Sequence, residues 1–288
     1  MLPGSLLCMK PTVPHTVPSW SEIYSGSRVG EAGQSTIWQK RLEYAWDIIG
    51  GKYRFGMLGL PHTYPAKLIN GWWVAGYPAT LKMTVDVCFP KSIRERMDGY
   101  EFSIVEEYKI GSWAVRTMNA FDEVTGRNDE IVNNQIRLIK ELYEEEPVEV
   151  LWVQFSFVDH LLHLIGWEDF HPFIKETTEY IYSKLDSVVE ELYRHFQPKT
   201  LFICSDHGHP KPFQHHPEGI LGVYGVHIND DVELTVNTCD LLPTMLYLLD
   251  IPRKLQGEVI YELFQSHNIT EEDDEIMKNQ LKKLGYIE

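Results

Sequence analysis

The chain has 288 residues and a formal net charge of −16, with 26 lysines and arginines against 42 aspartates and glutamates. This charge argues against nucleic acid and anionic membranes as partners, because both would repel the protein. Apolar residues make up 43% of the chain and charged residues 24%, which predicts a globular domain with a large core.

Neither a membrane span nor an export signal is visible in the sequence. No apolar run approaches the length of a transmembrane helix, and the N-terminus lacks a basic segment followed by an apolar one. The four cysteines, at positions 8, 88, 204 and 239, form no CxxC pair. Widely spaced single cysteines favour free thiols in a reducing compartment, so we expect a cytoplasmic protein.

Strand-like and helix-like segments alternate along the chain, a pattern typical of a layered α/β fold. In chain order we predict a helix over 35–49, a strand over 53–60, a helix over 130–145, a strand over 148–157, a helix over 177–196, strands over 200–205 and 219–225, and a helix over 240–249 with Asp240 as its N-cap. The strands at 148–157, 200–205 and 219–225 are nearly continuous apolar runs, as expected for strands buried on both faces.

Residues 61–121 have a weaker pattern. They are rich in proline, glycine and aromatic residues, which favours a small cap or insert that covers the edge of the sheet. A functional lid is the alternative for this segment. We therefore predict one domain over 1–288, with the cap at about 61–121 inside it.

Side chains that can bind metal ions occur in three short segments next to these strands. Asp159 and His163 follow the strand at 148–157, and their spacing places them on one face of a helix. Asp206 and His207 follow the strand at 200–205, where adjacent side chains can diverge toward two ions. A third segment carries His215 and His216, and it leads into the strand at 219–225.

Ligands of open parallel sheets bind at the carboxyl ends of the strands, so we expect these three segments to converge there. Carboxylates and imidazoles together suit a divalent transition metal.

The three segments read DHLLH, SDHG and HHPEG, in this order, and they resemble the metal-binding motifs of the alkaline phosphatase superfamily. The likeness is greatest to its branch of type I phosphodiesterases and nucleotide pyrophosphatases. The segments DLLPTMLYLLDIP and LPHTYPAKLINGWWVAG also resemble this branch, so the likeness spans nearly the whole chain.

The resemblance implies a doubly wound, mostly parallel sheet flanked by helices and a site for two divalent ions. These ions are usually zinc, and manganese can take its place. By the matching motifs, Asp159, His163 and His215 correspond to ligands of one ion. Asp206 and His207 correspond to ligands of the other, and the doublet leaves His216 as an alternative to His215.

A nucleophile is implied by the segment from Thr16 to Gly26, which resembles the family pattern T-x-P-x-W-x-x-I-x-T-G, with Ser25 in place of the second threonine. In that pattern the threonine stands at the start of a helix and attacks the substrate. Thr12 is the alternative, because the tripeptide TVP occurs twice, but only Thr16 has the tryptophan and the Ser-Gly pair at the right distances. A hydroxyl needs an activating metal ion at neutral pH.

One family feature has no counterpart in the sequence. The family places a further metal-binding aspartate at the end of its first strand, upstream of the nucleophile, and we find no such residue. We expect that this strand has been lost by truncation, and that the lost strand is central in the sheet.

The resemblance implies hydrolysis of a small phosphorylated substrate through a phospho-threonine intermediate. Monoesters, diesters, nucleotides and sulfates all remain open as substrates. Transfer of the phosphoryl group to another acceptor is an alternative activity, and a metal-binding homologue without catalysis is a second alternative.

Overall fold

The structure is a computed structural model, and it describes residues 3–29, 42–76, 86–97, 100–101, 118–165, 174–208 and 215–265. Strands and helices alternate in a mixed α/β arrangement. The strands of the described residues are β1 (Gly4–Lys10), β2 (Phe55–Leu58), β3 (Gly71–Val74), β4 (Cys88–Phe89), β5 (Val150–Val153), β6 (Thr200–Cys204), β7 (Gly219–Gly225) and β8 (Thr235–Asn237). The helices are α1 (Thr16–Ser25), α2 (Ala45–Gly50), α3 (Met118–Glu145), α4 (Phe157–Ile165), α5 (Ile174–Phe196) and α6 (Leu241–Leu248).

The first sheet has the strand order β4-β3-β2-β5. Its strands β3, β2 and β5 are parallel, and β4 is antiparallel to β3. Both β3 and β4 lie within the segment that we assigned to a cap, so part of that segment extends the sheet. The reason is visible in Trp72 and Trp73, which are fully buried and, as neighbours on one strand, pack against the core on opposite faces of the sheet.

The second sheet has the order β6-β7-β1-β8, with β7 antiparallel to both of its neighbours. We did not predict β1 from the sequence. Ser5, Leu7 and Met9 point into the protein, whereas Leu6 is exposed. An apolar residue on the outer face conceals the alternation that identifies a one-sided strand. The described residues thus form two mixed sheets, whereas we expected one mostly parallel sheet.

The strands β5 and β6 are the end strands of the two sheets. We predicted that both would be buried, but Leu151, Trp152, Val153 and all of β6 are only half-buried. The physical reason is the same for both strands, since each has a second edge that no described strand pairs with. One apolar core nevertheless joins the two sheets, and a second apolar cluster lies between α3, α4 and α5.

The predicted helices are recovered with different ends. The segments predicted at 130–145 and 177–196 are the C-terminal parts of α3 and α5. Of the helix predicted over 35–49, only its end falls on α2, and residues 30–41 lie outside the described residues. Asp240 makes no side-chain cap to α6 and instead accepts hydrogen bonds from the backbone N–H groups of Asn237 and Glu258.

No helix in the described part of the chain is long and apolar enough to cross a membrane.

Candidate metal centre

The direction of β7 brings two of the predicted segments together. The prediction placed all three segments at strand ends, which is wrong for His215, because this residue precedes the start of β7. Since β7 runs antiparallel to β6, its start lies beside the end of β6. A backbone pair between Gly208 and His216 joins the two segments directly. His215 therefore reaches the same edge as Asp206 and His207.

The helix α4 positions the first pair of candidate ligands as predicted. Asp159 lies in its first turn and His163 one turn later, with 3.1 Å between Asp159 Oδ1 and His163 Nε2. This spacing follows from the 3.6-residue period, which places residues four apart on one face. The carboxylate and the imidazole can therefore face one ion.

The second pair is arranged differently from the prediction. We expected Asp206 and His207 to diverge, yet His207 Nε2 lies 3.2 Å from Asp206 Oδ2. The two side chains are 15% and 5% exposed, so this contact is shielded from solvent. In the geometry described here, the two groups face one another instead of two separate sites.

The two pairs of side chains and His215 lie close together in space. Ligand atoms of Asp159, His207 and His215 all lie within 4.8 Å of one another. The rings of His207 and His215 stack with a centroid distance of 4.2 Å, and His163 contacts His215 edge-on at 5.8 Å. We refer to Asp159, His163, Asp206, His207 and His215 as the metal cluster.

The metal cluster fits a divalent cation. His215 Nε2 is buried and has no hydrogen-bond partner among the described residues, and the buried oxygens Asp159 Oδ1 and Asp206 Oδ2 have only an imidazole nitrogen beside them, at 3.1 and 3.2 Å. Buried polar atoms are rarely left without a partner, and each costs about 1–3 kcal/mol. Carboxylate oxygens and imidazole nitrogens are the donors that zinc binds, so a cation would satisfy all three atoms.

The two neighbouring histidines lie in different environments. His215 is half-buried within the metal cluster, whereas His216 is exposed and its Nδ1 accepts a hydrogen bond from the backbone N–H of Glu218 at 3.1 Å. His216 therefore stabilises the turn before β7, and His215 is the candidate ligand.

Burial and neighbouring charge set the protonation of the metal cluster. Burial, followed by the charge of Asp159, raises the pKa of Asp206 to about 8. Burial lowers the pKa of His215 to about 4, and nearby His207 lowers it further. Burial alone would raise the pKa of Asp159, but the hydrogen bond and charge of His163 lower it overall. At neutral pH, a cation would bind a neutral His215 and displace a proton from Asp206.

We expect the metal-free protein to be most stable near pH 6.5. His215 and the buried His160, whose pKa burial also lowers to about 4, bind protons more weakly when folded, so the free energy of unfolding rises from pH 4 to 6.5. Asp206 binds its proton more strongly when folded, so stability falls between its ordinary pKa of 3.8 and about 8. Above pH 6.5 the two histidines no longer change the stability, so only the contribution of Asp206 remains. The free energy of unfolding therefore decreases by about 2 kcal/mol between pH 6.5 and pH 8.

Chemical denaturation across this pH range measures the effect. The variant Asp206→Asn should lose the decline above pH 6.5, because an amide does not titrate. Saturating zinc should also remove the decline. An identical decline in Asp206→Asn would show that another group causes it.

The predicted nucleophile begins α1. Thr16 is the first residue of this helix, as expected, and the preceding residue His15 contacts His215 edge-on with a centroid distance of 5.6 Å. Helix N-termini present free N–H groups that suit oxyanions. Thr16 is therefore one residue from a direct contact with the metal cluster.

The alternative nucleophile occupies a different environment. Thr12 lies before the helix, and its backbone N–H donates to Glu22 Oε2 at 3.1 Å. Glu22 is fully buried and also accepts from the backbone N–H of Val29 at 2.9 Å. The structure thus gives Thr12 a part in anchoring the segment that leads to Thr16.

Sequence reasoning missed three residues near the site. Glu22 anchors the segment before Thr16, His15 contacts the metal cluster, and His62 lies close enough to His15 for an electrostatic interaction. Glu22 has no signal in the sequence, because its burial depends on the packing of α1 against distant residues such as Thr238. His62 lies in the segment LPHTYPAKLINGWWVAG, but the resemblance of that segment assigned no role to His62 or to His15, because their relevance depends on contacts between distant segments.

Comparisons with known proteins identify no family for the chain. Neither a protein-family model nor a curated protein matches the sequence. Among solved structures, a glycosaminoglycan sulfatase of Bacteroides thetaiotaomicron is similar, with a TM-score of 0.49 and 13% sequence identity. The match covers 93% of this chain and 68% of the sulfatase chain.

Proposed function

We propose that this protein is a metal-dependent hydrolase of the alkaline phosphatase superfamily that cleaves phosphoesters through Thr16. The observation that carries the proposal is the convergence of Asp159, His207 and His215, from three distant segments, within 4.8 Å. Motif order supports the type I phosphodiesterase and nucleotide pyrophosphatase branch. The donor set favours zinc, with manganese as a substitute.

The proposed reaction has two steps. Thr16 Oγ1 attacks the phosphorus and gives up its proton, and the bond from phosphorus to the leaving oxygen breaks. The leaving oxygen takes that electron pair and a proton and departs as an alcohol. A water molecule then attacks the phospho-threonine, the bond from phosphorus to Thr16 Oγ1 breaks, and the threonine hydroxyl is restored. The product is inorganic phosphate from a monoester or a phosphate monoester from a diester. Divalent ions held by the metal cluster would supply Lewis-acid stabilisation of the negative charge. The N–H groups of the first turn of α1 would hold the remaining oxygens.

Hydrolysis and metal content test this proposal together. We expect zinc-loaded protein to hydrolyse an aryl phosphate or an aryl phosphodiester, and a chelator to abolish the reaction. His163→Ala should remove most of the metal at one position, because it deletes an imidazole that faces Asp159 at 3.1 Å. Elemental analysis of dialysed protein measures this loss.

His195→Ala is a matched control. This histidine lies on α5, where it pairs with Glu144 at 3.7 Å and has no contact with the metal cluster. Its substitution should leave both metal content and rate unchanged. Unaltered metal content in His163→Ala would contradict the assignment of the metal cluster, and hydrolysis of an aryl sulfate alone would contradict the phosphoester substrate.

A further inference from the structure

The turn that follows β2 lies at the same edge of the first sheet as the start of α4. Strands β2 and β5 are parallel, so their carboxyl ends lie side by side. Gly59, directly after β2, packs so closely on Gln154 that a Cβ atom would come within 2.6 Å of the Gln154 carbonyl oxygen. The turn is therefore fixed against the segment that leads into Asp159.

His62 lies in this turn with an unusual backbone conformation. Its φ angle is +59°, in the left-handed region, which a residue other than glycine adopts at an energetic cost. The neighbours hold the turn in place. Tyr24 of α1 donates to the carbonyl of Pro61 at 3.2 Å, and Thr63 Oγ1 donates to the carbonyl of Leu60 at 2.7 Å. Such backbone strain often occurs at functional sites, although Asp231 has the same conformation away from this one.

The imidazoles of His62, His15 and His215 connect the turn to the metal cluster. His62 interacts electrostatically with His15, and His15 contacts His215 at 5.6 Å. His15 also precedes Thr16 directly. The turn that carries His62 therefore contacts both the segment that leads into Asp159 and the helix α1, which begins at Thr16.

We propose that His62 contacts the substrate, donating a hydrogen bond from its imidazole to an oxygen of the tetrahedral ester group that Thr16 attacks. This inference rests on the proposed function and names a further residue of the same site. Phosphate and sulfate esters share the tetrahedral oxyanion chemistry that such a donor recognises.

The surroundings of His62 suit this role. The side chain is half-buried, which leaves part of it accessible to a ligand. Burial lowers the pKa of His62, and the neighbouring His15 lowers it further. A neutral imidazole carries one N–H donor and one acceptor nitrogen. His62 can therefore donate to an oxyanion without adding a positive charge beside the bound metal ions.

The variant His62→Gly separates binding from folding. Glycine adopts a φ of +59° without strain, so the melting temperature should stay the same or rise. Loss of the donor should weaken the binding of inorganic phosphate or sulfate to the zinc-loaded protein about tenfold, measured by calorimetry. KM for an aryl phosphate should rise by a similar factor, with a smaller change in kcat. Phosphate and sulfate titrations in parallel identify the ester class.

Two further variants complete the test. His62→Asn keeps a side-chain donor and tolerates positive φ, so it should recover part of the affinity. Asp231→Gly is the matched control, because Asp231 also has a positive φ, of 58°, and lies outside the site. It should change neither anion binding nor KM.

The outcomes are distinguishable from those of the proposed function. Unchanged anion affinity in His62→Gly, or no binding of either anion by zinc-loaded wild type, would overturn the role of His62. Loss of affinity in His62→Gly supports that role even if Thr16 proves not to be the nucleophile. Zinc stoichiometry, measured in every variant, should stay the same, because His62 is not a ligand.

Discussion

Replacing Thr16 with alanine should lower the rate of aryl phosphate or phosphodiester hydrolysis by at least about a hundredfold, because removal of a covalent nucleophile leaves only electrostatic stabilisation. Thr16 is half-buried at the first position of α1, directly after the residue that contacts His215. The measurement is kcat/KM at saturating zinc, for wild type and variant.

The loss must be specific to catalysis. No hydrogen bond of the described residues involves the Thr16 side chain, so Thr16→Ala should leave the melting temperature nearly unchanged. Zinc content should also be retained in most of the protein, because the metal cluster is intact. A variant that loses its metal would show that Thr16 acts mainly as a ligand.

Thr12→Ala is the control that the repeated tripeptide provides. Thr12 is exposed, and the structure uses its backbone N–H, not its hydroxyl, to bind Glu22. Alanine keeps that N–H, so hydrolysis should be almost unaffected. Equal losses in Thr12→Ala and Thr16→Ala would remove the basis for choosing Thr16.

The local parts of the site were predictable from the sequence. The pairing of Asp159 with His163 follows from helical periodicity alone, and the position of Thr16 at a helix start follows from its motif. The approach of His215 was predicted for a wrong reason, since it depends on β7 being antiparallel. Pairing direction is a property of non-local contacts, and an apolar run gives no sign of it.

Non-local packing also explains the other differences. Trp72 and Trp73 stand in a segment rich in glycine and proline that reads as a cap, yet their burial makes β3 part of the sheet. His62 stands in a segment that resembles the family, but the resemblance gives it no role, and its turn is held by a hydrogen bond to Pro61 from Tyr24 of a distant helix. Such residues become visible only when the segments that surround them are assembled.

We propose that a further apolar strand, absent from the described residues, lies between β5 and β6 and makes the two sheets one doubly wound sheet. Both strands lead into metal-cluster segments, and both are end strands with half-buried apolar side chains. The sequence resemblance implies a strand that ends in aspartate at this place. The proposal therefore explains the half-burial and supplies the carboxylate that the motifs lack.

The backbone of β5 and β6 identifies the amides that such a strand would bind. Val150 donates to the carbonyl of Arg54, directly before β2, and Gln154 donates to Leu58 of β2. Alternation therefore directs the N–H groups of Leu151 and Val153 to the other edge. Ser205 donates to Ile220 beside β7, so the N–H groups of Phe202 and Cys204 also point away from β7. These four amides have no strand partner among the described residues.

A form of the protein extended by the codons upstream of Met1 tests the proposal. If those codons encode the strand, the four amides should change from fast to slow hydrogen exchange, while the amides of β7 stay slow in both forms. Four hydrogen bonds at about 1 kcal/mol each would raise the melting temperature by about 10 °C. The added aspartate should tighten the ion beside Thr16 and raise turnover about tenfold or more.

Protection, stability and turnover should increase together, because one segment provides all three. Replacing the terminal aspartate of the added strand with alanine separates the effect of the strand from the effect of the carboxylate. This variant should keep the protection and the higher melting temperature, but it should lose the gain in turnover. Equal exchange rates, melting temperatures and turnover in the 288-residue and extended forms would overturn the proposal. In that case the half-buried edges of β5 and β6 would belong to the finished fold, and the residues of the metal cluster would have to hold both ions without a further carboxylate.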